Sequence, residues 1–544
     1  MSPWRGARAR LGRGARWVRA RGLVSAIAKT LAVVADPRTP SRAAYAAWRA
    51  GRAAPGGGPA SPATRISVLV PVHDAEPAWL EALWRSLARQ SGARWELCLF
   101  DDGSRDPAPA ARLGEGDPRV RRGRAASPGG IAAATRAAAA MASGEVLAFV
   151  DQDDELAPGV LAALARAFDE DPALDLAYTD EDHLDASGSL SDPAFKPGPS
   201  PVLALGFNYV THLMAVRRGL FKAIGGMAEG CDGAQDHELL LRALERARRA
   251  RHLPLVGYHW RRVPGSVAAS STNKAWAFEA GLRVVRAAYA RRGVRLAALA
   301  AHPLVPGVYR ARPGARAERF AGDVVLLGGA PAARRWRGVL ERARGLRPRA
   351  VLVDRWPERA GRGLCVVDAR AEPDAEVLAR AWDWGAVDPG APVAIGSAWR
   401  GRRADLGWSV RRDGTAEPVL AGLATGRRGP GLLATSTREV AAARPGALFV
   451  PPLAPGLAAA LGGRLAHPDD TLGLTLAAPA GHPTLFVPHV TLARRVHAVP
   501  VRLDRRPWWP AVRAHVDEEV WDGGADRFCP RHPLLVPLGL PAPA

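Results

Sequence analysis

The sequence predicts an α/β protein built on a doubly wound, mostly parallel sheet, and three observations carry that prediction. Short apolar runs recur along the chain, stretches of helical spacing separate them, and acidic residues follow directly on several of the runs. At 544 residues the chain exceeds one ordinary core and fits roughly two to four domains.

The elements follow in order. Residues 1–50 are rich in Arg and Ala and read as helices, and 53–63 (AAPGGGPASPA) is a Pro/Gly linker without hydrophobic period. Arg65–Val72 (RISVLVPV) is a strand, followed by a helix over Trp79–Gln90 and a second strand at Trp95–Phe100 (WELCLF). An Ala-rich helix spans Gly129–Ser143, a third strand Glu145–Val150, a helix Pro158–Phe168 and a strand Leu174–Tyr178. Further on, Thr211–Val216 and His252–Trp260 are strand-like, while Gln235–Arg248 and Asn273–Arg292 have helical spacing. After Gly293 the pattern weakens, but the apolar pieces Val324–Leu327, Ala350–Val353, Gly363–Val367 and Leu448–Val450 indicate a second α/β domain. The expected organisation is a basic helical extension and linker (1–64), a first α/β domain (65–293), a linker (294–318) and a second domain (319–544).

The net charge of +22 ordinarily points to nucleic acid or an anionic membrane. Only four lysines are present, at 29, 196, 222 and 274, so the charge is nearly all arginine in a chain crowded with Ala, Gly and Pro. Codon bias accounts for that pattern without a partner; a basic surface that meets acidic lipid heads or phosphates is the alternative. A nucleic-acid function has no recognition helix, zinc finger or stacking-sheet motif behind it and is set aside. The four cysteines are scattered with no CxxC pair, as in a reduced, cytoplasmic protein. No apolar stretch approaches the ~20 residues of a membrane span. Gly22–Ala35, after a run of arginines, reads as a basic amphipathic helix on the inner membrane face or as a plain surface helix; Lys29 interrupts it as a signal peptide.

Three acidic clusters stand where a ligand of such a sheet should sit, at the carboxyl ends of strands. They are Asp101-Asp102-Gly103-Ser104, Asp151-Gln152-Asp153-Asp154 and Gln235-Asp236-His237-Glu238. Singly, each has an ordinary explanation: a turn, a helix start, a carboxylate in a first helical turn. Together they repel one another unless a cation intervenes. Mg²⁺ or Mn²⁺, bound through carboxylates and substrate phosphates, removes the conflict and makes the constellation a metal–diphosphate site. The rival phosphate loop, Ser127-Pro128-Gly129-Gly130, lacks both a Walker lysine and GxGxxG spacing. Its glycines, Gly130 in particular, start a helix and let backbone approach a nucleotide.

Residues 65–293 resemble the family 2 glycosyltransferases of the GT-A fold, especially the bacterial branch that builds O-antigen and other surface polysaccharides. The matching stretches are RISVLVPVHD, LCLFDDGSRD, GGIAAATRAAAAMASGEVLAFVDQDDEL, YTDEDHLDASGSLSDPAFKPGPSP, NYVTHLMAVRR, GAQDHELLLRALE and LPLVGYHWRRVPGS. The resemblance implies an inverting, metal-dependent hexosyl- or rhamnosyl-type transferase using a UDP-, GDP- or dTDP-sugar. Its acceptor would be lipid-linked or polysaccharide, at the cytoplasmic face of the inner membrane. Residue by residue, it implies that Pro71 and Val72 begin the nucleotide pocket and that Asp102 bonds the base. Asp151 and Asp153 become the Asp-x-Asp pair touching ribose and metal, with Asp154 a further metal ligand. Asp236 becomes the catalytic base. His259 either completes the metal shell or touches the diphosphate, or is a satisfied buried histidine; Lys196 either meets phosphate or acceptor or lies on the surface. Asn208, Tyr209 and His212 would shape the acceptor side.

Two positions depart from the family pattern: His73-Asp74 replaces the usual Tyr-Asn, and Gln235 replaces an acidic residue before the base. The second half resembles an eroded copy of the first, a degenerate GT-A-like domain. Its Val367-Asp368-Ala369-Arg370 puts arginine where a second carboxylate should stand. An inactive scaffold or an acceptor- or partner-binding module is expected there, and Trp508-Trp509 are core aromatics or a lipid or glycan contact. A non-catalytic, glycan-binding scaffold is the alternative for the whole chain.

Overall fold

The computed structural model describes residues 42–50, 62–262, 275–302, 305, 307–354, 363–389 and 391–399, with short strands beyond. The basic stretch 22–35, most of the 53–63 linker, Trp508-Trp509 and Cys529 lie outside the described residues.

The first sheet contains β1 (Arg65–Val72), β2 (Arg94–Asp101), β3 (Val120–Arg124), β4 (Val146–Phe149), β5 (Glu155–Leu156), β6 (Leu174–Leu184), β7 (Leu190–Ala194), β8 (Met214–Arg217) and β9 (Arg249–Arg261). Its order is β3-β2-β1-β4-β8-β6-β9-β5, with β7 hairpinned onto β6. β1 pairs in parallel with β2 and β4, whereas β8 runs antiparallel between β4 and β6. The central strands are apolar on both faces because helices cover both. On one side α2 (Pro77–Ala88) and α5 (Val160–Glu170) bury Leu80, Leu83, Leu161 and Leu164 with Ile66, Val68 and Val70. On the other, α4 (Ile131–Met141) and α8 (Gln235–Arg246) pack Ala138, Leu239 and Leu240 with Leu69 and Leu147.

The expected elements appear with shifted ends, and three features differ. β3 is a polar edge strand (VRRGR) without the alternation that marks a half-buried strand. The helix α1 (Arg42–Ala50) is packed on the sheet rather than standing apart as an extension. Tyr45 is fully buried, and its hydroxyl donates to Asp182 at 2.7 Å. Residues 294–318 are more than a linker, since β10 (Leu296–Ala301) and β11 (Tyr309–Pro313) form an antiparallel hairpin that buries Val308 and Tyr309.

The second sheet is built from β12 (Asp323–Leu327), β13 (Ala350–Val353), β14 (Leu364–Asp368), β15 (Val393–Trp399), β16 (Arg402–Arg403), β19 (Arg438–Val440), β20 (Ala447–Val450) and β21 (Thr484–Ala493). Between β16 and β19 in sequence lie β17 (Trp408–Val410) and β18 (Thr415–Pro418), which pair with each other, and β18 also pairs with β22 (Val501–Arg502) in a separate three-stranded sheet. Within the second sheet the path β13-β12-β14-β20-β15-β21 repeats the path β2-β1-β4-β8-β6-β9 of the first. The pairings along it are parallel, parallel, antiparallel, antiparallel and parallel in both. Two chain segments with no such shared path as a requirement have therefore wound the same sheet, and the second half has the GT-A-like topology of the first.

Burial of Tyr45 makes α1 part of the first domain's stability. Tyr45→Ala removes a packed aromatic and leaves the fully buried Asp182 one donor short. The expected loss is about 3–5 kcal/mol, read as a lower denaturation midpoint by circular dichroism. An unchanged midpoint would mean that α1 does not pack on the domain in solution.

Candidate active site

The carboxyl ends of β1 and β4 and the starts of α4 and α8 converge on one pocket, and the loop before β8 adds Thr211 and His212 to its lining. Pro71, Asp151, His212, Gln235 and Asp236 line it, against an apolar wall of Ile131, Met214, Met227 and Leu239. Asp151 follows β4, and the repulsion of Asp236 reaches it across the pocket.

The Asp151–Asp154 turn is fastened by strand β9. The Tyr258 hydroxyl donates to Asp154 at 2.7 Å and accepts the Asp151 backbone N–H at 3.1 Å. Arg261 donates its backbone N–H to Asp154 and its Nε to the Asp153 carbonyl, both at 2.7 Å. Gln152 bonds both the N–H and the carbonyl of His73, tying the turn to the end of β1. Neither Tyr258 nor Gln152 carries a motif signal of its own, so sequence reasoning passed over both.

Burial pushes the Asp151, Asp153 and Asp154 carboxyls above the usual carboxylate range, Asp154 most strongly; repulsion adds to it, from Asp236 at Asp151, from Asp151 at Asp153, and from Asp151 and Asp153 at Asp154. Asp151 still presents 43% of its side chain to solvent in the cleft. Donor atoms of Asp151, Asp154 and His212 lie within 4.8 Å of one another. Two carboxylates and an imidazole suit a small divalent cation, whose charge would relieve the crowding. Asp153 and His259 are not part of this group. The His259 Nδ1 instead meets the Asp182 carboxylate at 2.6 Å, the same carboxylate that Tyr45 bonds. The buried, satisfied reading of His259 is the one its surroundings match.

His212 stacks on Tyr258 at 4.6 Å, with Nε2 3.7 Å from Asp151. It therefore faces the carboxylates rather than a separate acceptor surface. Asn208 touches the expected base: its amide donates to Asp236 at 2.9 Å, while its carbonyl accepts the N–H groups of Val210 and Thr211. Tyr209 is buried and accepts the Ser200 N–H, so it shapes the loop from beneath. Asp236 sits in the first turn of α8, where the helix dipole favours its charge.

Lys196 corrects both sequence-based readings, since it lies neither at phosphate nor on the surface. It is 3% exposed, and its ammonium ion-pairs with Glu181 at 3.0 Å while donating to the carbonyls of Val210 and His212. An ammonium has three N–H groups, and these partners take all three.

Asp102 is similarly committed. Its two oxygens each accept a backbone N–H, from Gly129 and Gly130, at 2.8 Å. This clamp sets the entry to α4, where Gly130 has φ +91° and any Cβ would meet Asp232 at 2.7 Å. The Asp232 carboxylate in turn accepts the Ala132 N–H of the new helix at 3.1 Å. Val72 is buried at the end of β1 and accepts the Asp102 N–H at 2.7 Å.

In the second half, Asp368 ends β14 as the Asp151 turn follows β4. Arg370 grips both of its oxygens at 2.9 Å. A guanidinium occupies the place of a second carboxylate, so this strand end offers no cation site.

The first sheet has the GT-A fold, with carboxylates at its strand ends. Residues 67–225 match Glycosyl transferase family 2, and in that segment the chain is similar to its members. The chain is 39% identical over 269 residues to O-antigen biosynthesis protein RfbC of Myxococcus xanthus, covering 48% of this chain and 21% of that protein. It is 39% identical over 251 residues to the uncharacterized protein y4gI of Sinorhizobium fredii, covering 45% of this chain and 28% of the relative. The chain thus spans well under a third of either relative's length. Among solved structures, S. aureus TarS 1-349 in complex with UDP-GlcNAc aligns at 20% identity and TM-score 0.35, over 40% of this chain and 65% of that one.

The buried Lys196–Glu181 pair should be costly to break from one side. Lys196→Met leaves Glu181 charged and unpaired, at a cost of about 3–5 kcal/mol. Lys196→Met combined with Glu181→Gln should regain part of that loss, and thermal melts of both variants measure it. Equal stability of Lys196→Met and wild type would show the pair to be solvated.

Proposed function

We propose that residues 65–293 transfer a sugar from a nucleotide-sugar to an acceptor hydroxyl with inversion at the anomeric carbon. The observation that carries this reading is one pocket in which Asp236, oriented by Asn208, faces the Asp151/Asp154/His212 cluster. Asp236 is the base that takes the proton of the attacking hydroxyl, which needs a carboxylate within hydrogen-bond reach. Asn208 fixes one oxygen of Asp236 and the His237 N–H the other at 2.8 Å, so the group is held without neutralisation by a cation.

Asp151, Asp154 and His212 would hold Mg²⁺ or Mn²⁺, with Asp153 at the open side, and the ion's chemistry is neutralisation of the leaving diphosphate. Pro71, Val72 and the clamped Gly129-Gly130 backbone form the nucleotide side. The O-antigen relative supports a surface polysaccharide as acceptor. No helix among the described residues is long and apolar enough to cross a membrane. The second half, with Asp368 held by Arg370, is a scaffold or acceptor-binding module rather than a second transferase.

Asp236→Asn should lower transfer by about 10²–10⁴-fold while metal-dependent nucleotide binding persists. Radiolabelled-sugar transfer and calorimetry read the two effects. Full transfer by the variant would remove Asp236 from the role of base. Tyr258→Phe keeps the ring under His212 but removes the hydroxyl joining Asp151 and Asp154. It should weaken Mn²⁺ binding about 10–100-fold, and an unaltered affinity by titration calorimetry would argue against the cluster as the metal site.

A further inference from the structure

Gln235 opens α8 one residue before Asp236 and lines the same pocket. Its side-chain Oε1 is buried and has no hydrogen-bond partner among the described residues. An orphaned buried acceptor costs about 1–3 kcal/mol, and native proteins keep few of them. Neighbouring polar groups are engaged elsewhere. The Asn208 amide bonds Asp236, and the Thr135 hydroxyl donates to the Ile131 carbonyl at 2.7 Å. The apolar side chains of Ile131, Met214, Met227 and Leu239 line the same pocket. A ligand that fits both features carries a hydroxyl donor on one edge and a hydrocarbon face on the other, as a sugar ring does.

On the glycosyltransferase reading above, we propose that the Oε1 of Gln235 accepts a hydrogen bond from a hydroxyl of a sugar ring seated in this pocket. Gln235 thereby selects sugars that keep that hydroxyl free. Asp151 and Asp236 already bring two carboxylates to the pocket, so the ring bears no carboxylate of its own. An amide recognises the hydroxyl without adding a third negative charge, which a glutamate here would do. Sites built to bond a hydroxyl reject the analogue lacking it, because the site's own acceptor is then left unpaired. The transferred sugar and the acceptor sugar both offer this chemistry, and kinetics separates them.

The test compares the full chain with Gln235→Met, close in volume and without the acceptor atom. Donors are UDP-glucose, UDP-N-acetylglucosamine, GDP-mannose and dTDP-rhamnose with Mn²⁺, and acceptors are methyl glycosides. Monodeoxy analogues of the active pair follow. In the variant, kcat/KM should fall about 10–100-fold, and the unliganded protein should melt at the same or a higher temperature because the orphaned acceptor is gone. One monodeoxy analogue should be as poor with wild type as the parent sugar is with the variant, and should lose nothing further on the variant. A loss in donor KM and donor hydrolysis assigns the hydroxyl to the transferred sugar; a loss in acceptor KM alone assigns it to the acceptor.

Unchanged kcat/KM in Gln235→Met overturns the proposal, as do equal penalties for every monodeoxy analogue on both proteins. A lower melting temperature of the unliganded variant also overturns it, by revealing an internal partner for Oε1. If wild type turns over none of the four donors, the transferase reading fails separately. Calorimetry of those donors against UDP, GDP and dTDP then decides the Gln235 contact. A sugar-dependent gain in affinity that the variant loses supports it, and no such gain overturns it.

Discussion

Lys196 sits inside the protein with its ammonium shared between Glu181 and the carbonyls of Val210 and His212. Glu181 also accepts the His212 N–H at 3.1 Å, so the loop 208–212 is held from both sides by one ion pair. That loop delivers Asn208 to Asp236 and His212 to Asp151. A charge pair taken out of water gains little net stability, but breaking it from one side is expensive, which makes the geometry all-or-none. The surroundings of Asp236 and of Asp151 therefore depend on a buried lysine that bonds neither of them.

The second constraint is charge crowding at the ends of the strands. Burial raises the proton affinity of Asp151, Asp153 and Asp154; Asp151 adds to it at Asp153 and Asp154, Asp153 at Asp154, and Asp236 at Asp151. Tyr258 and the Arg261 backbone counter part of this for Asp154, and His212 does so for Asp151. The fold thus holds a site whose strain a divalent cation would relieve. Preorganised charge of this kind costs stability in the empty protein and is of use only when a ligand completes it.

The second half gives an internal comparison. Its sheet follows the same path with the same pairings, but Asp368 is closed by Arg370 within its own turn. Winding such a sheet needs apolar strands and covering helices. Carrying the chemistry needs unpaired carboxylates at particular strand ends, and a single arginine two residues on suffices to remove that.

Much of the first domain was legible in the sequence because apolar runs of strand length and helices of 3.6 periodicity are local properties. The clusters at Asp102, Asp151–Asp154 and Asp236 were legible for the same reason, as each stands next to its own strand or helix start. The polar edge strand β3 and the packing of α1 through Tyr45 were not, since neither leaves a period in the chain. Partner choice was equally hidden. Lys196 meets Glu181 fifteen residues away, and Asn208 meets Asp236 twenty-eight residues away. His259 meets Asp182 across 77 residues, while Asp154 meets Tyr258 across 104. By itself the sequence determined the sheet, its ends and the carboxylates placed there. Only the tertiary structure decided which cations, hydroxyls and imidazoles each carboxylate faces, because those pairings are set by strand order and burial rather than by neighbours along the chain.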